Sequence, residues 1–188
     1  ALRAQLISIG DDVVSNRIQS AHVAISSDLE EAMDLRRDAF TRLADRVAML
    51  NVTGGPDWTS DADDYLDDFP ELSVLTWRSE SGDITWEHRR SPTNILPDAA
   101  DCSSVKNGFH PINAAQVLLC ASTQKGQGGQ LTAVLEVHPM LEDALQNFLH
   151  IDIPFAIVDE NGVLFRSSLP IVEEEPASNT VAVDGLTW

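Results

Sequence analysis

The sequence predicts an α+β domain, with one long amphipathic helix followed by an antiparallel sheet built from hairpins. Three observations carry this. Residues 1 to 51 contain no proline and a single glycine, Gly10, and their apolar residues recur in steps of three and four. Strand–turn–strand patterns then follow one another, and hairpin connections imply antiparallel pairing with helices to one side. With 188 residues and 43% hydrophobic content, the chain is long enough for one core and too apolar for a disordered segment.

The helix is read from Leu2, Leu6, Ile9 and Val13, then Ile18, Ala21, Ile25, Leu29 and Met33, then Phe40, Leu43, Val47 and Leu50. Those steps define one face, and the opposite face is charged, as in "DLEEAMDLRRDAFTRLADR". Some fifty residues at 1.5 Å each make about 75 Å of helix, roughly twice the width of a compact domain of this size. Part of it is expected to extend beyond the body or to pack on a second copy. A break at Ser26-Ser27-Asp28, capping a second helix, is the alternative. Gly54-Gly55-Pro56 cannot continue the helix, which divides one domain into a helical part, 1–52, and a body, 53–188.

"WTSDADDYLDDFP" predicts a short helix with Ser60 as N-cap, aspartates in its first turn and Pro70 as its stop. A calcium loop is the rival reading, but the mid-loop glycine and terminal glutamate of an EF-hand are missing. Leu72 to Thr76 and "DITWEHRR" predict two strands around the turn Ser79–Asp83, with Trp77 on one and Trp86 on the other. Residues 93 to 113, with Pro97, Gly108 and Pro111, read as irregular. "AAQVLLCAST" and "GQLTAVLEV" predict a second hairpin joined by "QKGQGG". "HPMLEDALQNFL" predicts a helix with Pro139 in its first turn. "IPFAIVDENGVLFRSS" carries Asn161-Gly162 between two apolar strands, the strongest short-range hairpin signal. "TVAVDGLTW" predicts a last strand.

The net charge is −18, from thirty acids against ten arginines and two lysines. So acidic a chain is repelled by nucleic acid and by anionic lipid headgroups. No apolar run reaches the roughly 18 to 20 residues that span a bilayer. The chain starts inside a helical pattern and stops in strand-like sequence, so it is expected to be a piece of a longer protein. No G-x-S-x-G, H-E-x-x-H or Walker loop occurs, and the five histidines show no ligand spacing. The domain is therefore expected to be non-catalytic, with no cofactor and no metal. Cys102 and Cys120 form no CxxC motif. In an oxidising compartment they can close a disulfide; a buried thiol at Cys120 and a separate loop thiol at Cys102 are the alternative.

Trp77 and Trp86, with Arg89 and Arg90 close behind, suit an aromatic wall beside a guanidinium. Such a wall fits a small ligand with a carboxylate or a planar cationic part. The plainer reading makes the tryptophans packing residues and the arginines solvated.

The order of motifs resembles bacterial extracytoplasmic sensor domains of the CHASE and PAS-like (Cache) kind. "YLDDFPELSVLTWRSESGDITW" is similar to their helix, strand and "dG-x-I-x-W" hairpin. "GGQLTAVLEVHPMLEDAL" is similar to their strand leading into a helix, "IPFAIVDENGVLFRSS" to their "v-x-D-x-dG-x-x-l-y-x-S" hairpin with Phe165 in place of tyrosine, and "VAVDGLTW" to their closing strand. The stretch "TNILPDAADCSSVKNGFHPIN" departs from the pattern, since many relatives carry a regular helix there. The resemblance implies a PAS-like antiparallel sheet with the long helix packed against it. It implies a membrane-anchored receptor with transmembrane helices on both sides of the domain. The domain is then periplasmic, pairs with a second copy through the long helix, and reports to a histidine kinase, diguanylate cyclase or chemoreceptor. A small molecule is expected between the sheet and its covering loops, lined by Trp77, Trp86, Arg89 and Tyr65, with the loop around His110 as a lid. A dimerisation or docking module without ligand is the rival, and polar substitution of Leu29, Met33 and Phe40 is expected to separate its copies.

Overall fold

An uninterrupted helix, α1 (Leu2–Leu50), opens the chain in the computed structural model. The structure describes residues 2–50, 56–92, 102, 107–113, 115–126, 128–149, 155–159, 162–167, 182–183 and 186–187. The 49 residues of α1 span about 74 Å. Ser26, Ser27 and Asp28 lie inside it, so the alternative break does not occur. Ile25, Leu29, Met33, Phe40, Leu43, Ala44 and Val47 are buried along one stripe of its second half. Val13, Val14, Ile18 and Val23, in the first half, are exposed.

Helix α2 (Pro56–Asp68) begins earlier than expected. Proline suits the first helical position, where its missing N–H is no loss, so Ser60 sits inside the helix and does not cap it. Arg90 closes the other end: its guanidinium donates to the carbonyls of Leu66, of Phe69 at 3.1 Å and of Leu72 at 2.8 Å. A cation on the last carbonyls also complements the helix dipole.

Five strands form one antiparallel sheet of order β2-β1-β5-β4-β3. They are β1 (Leu72–Arg78), β2 (Ile84–Arg89), β3 (Gly108–Asn113), β4 (Gln116–Thr123) and β5 (Gly129–Glu136). Pairing of β1 with β5 joins the first hairpin to the second. Strand β3 was expected to be irregular because of Gly108 and Pro111. It lies on a sheet edge, where proline's missing donor needs no partner. The β1–β5 register shifts between Leu72 and Val74, and the Ser73 hydroxyl there donates to the Val134 carbonyl at 3.1 Å. The extra residue lets Leu72 and Leu75 face the same side.

Helix α3 (Val137–Ala144) follows β5 directly, and a 3-10 turn covers Gln146–Phe148. Strands β6 (Ala156–Asp159) and β7 (Gly162–Arg166) form the hairpin expected around Asn161-Gly162, as a separate two-stranded sheet. The Phe165 ring packs near His138 of α3, with centroids 5.7 Å apart. In place of one closing strand, β8 (Ala182–Val183) and β9 (Leu186–Thr187) pair with each other. The structure is thus α+β, with a long N-terminal helix and a five-stranded antiparallel sheet.

The sheet is buried on both faces in its centre. One face carries Leu75, Trp77, Trp86, Phe109, Leu119, Leu131, Ala133 and Leu135 into a single core with α1, α2 and α3. The other carries Val74, Leu118, Cys120 and Val134, packed with Cys102. The turn between β4 and β5 clips the sheet to α1: Thr123 and Lys125 donate to the Asp45 carboxylate at 2.7 and 2.5 Å. Both bonds hold the Asp45 carboxyl below the usual carboxylate range. Gly126 is required there, since its φ is +57° and a Cβ would collide with the Ala48 carbonyl.

Candidate functional site

Side chains alternate along a strand, so the register fixes which residues share a face. On the face away from α1, one row across the sheet reads Glu87, Thr76, Thr132, Cys120. The next row reads Arg89, Val74, Val134, Leu118, His110. In the buried centre of the sheet a pair of threonines therefore lies beside apolar Val74, Val134 and Leu118, with Glu87, Arg89 and His110 at the edges.

Thr76 and Thr132 are both fully buried, at 0% exposure. The Thr76 hydroxyl has no hydrogen-bond partner among the described residues. An unmet buried hydroxyl costs about 1–3 kcal/mol, so such a group in a native protein calls for an explanation, an ordered water or stored strain among them. The Thr132 hydroxyl lies 3.3 Å from the Cys102 sulfur. Cys102 is bonded to Cys120, with Cα atoms 6.0 Å apart. Gln130 donates to the Cys102 carbonyl at 2.9 Å, and the Asn107 side chain accepts from the Ser122 backbone N–H at 2.7 Å. Cys102 is thus stapled to β4 on this face, and Asn107 is bonded to the β4 backbone. A bridge across 18 residues contributes on the order of 3 kcal/mol of stability.

The structure distributes the residues expected from the sequence. Trp77 and Trp86 pair directly across β1 and β2, but at 7% and 9% exposure they belong to the core facing α1. Arg89 lies on the opposite face, where its guanidinium pairs with Glu87. His110 shares that face at the far edge of the sheet. Four strand spacings, about 19 Å, separate it from Arg89. Tyr65, on α2, is half-buried on the α1 side. It lines a cavity of about one water molecule's size with Arg36, Phe40 and Phe69. Burial raises its phenol pKa well above the ordinary value. The five residues do not meet in one pocket.

The charged run after Trp86 is split in the same way. His88 stacks on Trp86, with rings 5.9 Å apart and 6° from parallel, and its Nε2 lies 2.7 Å from an Asp63 oxygen on α2. With Arg90 at the α2 terminus, these residues hold α2 against the first hairpin. Glu87 and Arg89 remain for the second face.

Thr76 and Thr132 were missed because threonine is a common strand residue. The signal was available: each interrupts an apolar strand, in "SVLTW" and "GQLTAVL", and antiparallel pairing can bring them side by side.

Among the described residues, no group of three or more His, Cys, Asp or Glu is placed to hold a metal ion. No helix among them is long and apolar enough to cross a membrane. No protein-family model matches the chain, and no curated protein is significantly similar to it.

Proposed function

We propose that this chain is the extracytoplasmic sensor domain of a membrane-bound signalling receptor. It binds a small molecule on the sheet face away from α1 and passes the signal through α1 to a kinase, a diguanylate cyclase or a chemoreceptor body. The observation that carries this reading is the fully buried Thr76 hydroxyl without a partner, next to Thr132 on a face stapled by the Cys102–Cys120 disulfide. A stapled, partly polar, buried face suits a ligand held by a few hydroxyl contacts in apolar surroundings. The disulfide favours an oxidising compartment, and the PAS-like sequence resemblance agrees with a helix on one sheet face and a ligand on the other.

The test is a thermal-shift screen of the chain against amino acids and small organic acids. A ligand at about 100 times its dissociation constant raises Tm by about 5 °C or more. Thr76→Val is expected to abolish that rise. A rise that survives both Thr76→Val and Thr132→Val places the ligand elsewhere.

A second reading, a dimerisation or docking module without ligand, has its own support on α1. Val14, Ile18, Leu35 and Met49 are exposed apolar side chains of α1. Exposed apolar residues along a helix suit contact with a second α1. The residues expected to break a dimer, Leu29, Met33 and Phe40, are buried against the body, so polar substitution there would unfold it. Val14→Glu with Leu35→Glu is the proper probe. Sedimentation showing dimer for the parent chain and monomer for the variant supports the helix pair. The docking reading wins if no ligand shifts Tm.

A further inference from the structure

Arg36 is the one charged side chain of α1 that is buried among the described residues, at 5% exposure. It sits halfway along the stripe that packs on the body, between Met33 and Phe40. Its guanidinium makes contacts in three directions. Nε pairs with Glu71, the residue just before β1, which is 0% exposed. Nη2 lies 2.7 Å from the Asp143 carboxylate on α3. Nη1 donates to the Ala32 carbonyl of its own helix at 3.0 Å. One side chain thus joins α1 to the start of β1 and to α3.

The node is incomplete on one side. The second Glu71 carboxylate oxygen is buried and has no hydrogen-bond partner among the described residues. The water-sized cavity lined by Arg36, Phe40, Tyr65 and Phe69 lies beside the guanidinium. A partly satisfied buried charge network holds one arrangement firmly but is not at its best possible pairing. Sliding or turning α1 pulls Arg36 from Glu71 and leaves a buried carboxylate uncompensated, so displaced positions are disfavoured. Glu71 lies on the same chain segment as Thr76, five residues upstream, and its backbone carbonyl accepts from Glu136 N–H at 2.9 Å at the end of β5.

We propose that Arg36, Glu71 and Asp143 form a latch that fixes the register of α1 against the sheet, and that α1 shifts on the body only when this latch rearranges. A change at Thr76 reaches α1 through β1 and Glu71. The role of the latch in signalling rests on the sensor reading; its role in setting the register does not.

The test removes the latch without leaving a buried charge alone. The double substitution Arg36→Met with Glu71→Met replaces the pair by apolar side chains, a change that buried ion pairs often tolerate. Hydrogen exchange is followed in peptides from residues 25–48 of α1 and from β4 and β5. The double variant is expected to fold with an unchanged near-UV spectrum, to exchange ~10-fold faster in the α1 peptides, and to keep parent rates in the sheet peptides. A merely structural role moves both sets together, and that outcome, or no change in either, overturns the proposal. Spin labels at Glu30→Cys and Asn147→Cys give a second readout. The latch predicts one narrow distance in the parent chain and a second or broadened one in the double variant; a single unchanged distance overturns it. Both measurements are made without ligand. Failure of the ligand screen therefore leaves the latch standing, and failure here leaves the ligand site standing.

Discussion

Leu131 and Thr132 are neighbours on β5, both at 0% exposure, and they point to opposite faces of the sheet. Leu131 pairs across to Trp77 and Ala121 and enters the large core shared with α1. Thr132 pairs across to Thr76 and Cys120, in a thin layer closed by a disulfide. The first face gains its stability from aliphatic and aromatic area taken out of water. The second buries hydroxyls, one of them unmet, and depends on a covalent staple. The fold is carried by the first face, and the second holds buried polar groups.

The contrast can be broken or sharpened by substitution. The largest effect is expected on the α1 side: Phe40→Ala should cost about 3–5 kcal/mol in urea unfolding, since the ring is fully buried. A loss below about 1 kcal/mol would deny that this face carries the fold. Next, Cys102→Ala with Cys120→Ala should lower stability by about 3 kcal/mol and speed hydrogen exchange in β4 around Cys120 more than in α1. Uniform acceleration would mean the two faces are not separate layers. Smaller again, Thr76→Val should gain about 1–3 kcal/mol of stability and raise Tm, because it removes an unmet hydroxyl. A loss shows the hydroxyl to be satisfied.

The smallest effect concerns acid. Asp45 has a carboxyl pKa below its ordinary value of 3.8 through its bonds from Lys125 and Thr123. A lowered folded-state pKa gives stability that is present above the unfolded value and is lost as pH falls through the folded one. Asp45→Asn should therefore flatten the acid limb of stability below about pH 4, by a few tenths of a kcal/mol, since the pair is partly exposed. Thermal melts between pH 2 and 6 read this, and an unchanged acid limb would show that the clip contributes nothing.

Much of the fold was legible. The three-and-four spacing from Ile25 to Val47 is the buried stripe, and each expected hairpin is an antiparallel pair of strands in the structure. Strand β3 was hidden because Gly108 and Pro111 are strand breakers in a central position and harmless on an edge, and sequence alone does not say which strand is the edge. The expected ligand wall failed on parity: Trp86 and Arg89 are three residues apart on one strand, an odd step that sends them to opposite faces. Thr76 and Thr132 come together only through the β1–β5 pairing, a contact between distant segments that local patterns do not reveal. The Arg36–Glu71 pair was hidden for the same reason.

The unequal halves of α1 have a mechanical consequence. Among the residues whose side chains are described, the first that α1 buries against the body is Ile25, while its backbone continues to Leu2. That stretch of helix is an arm of about 35 Å. Tilting the packed half by about 5° swings the far end of such an arm by about 3 Å. A displacement too small to disturb the core thus becomes, at the tip, comparable to the diameter of a water molecule, and Ile25 acts as the fulcrum.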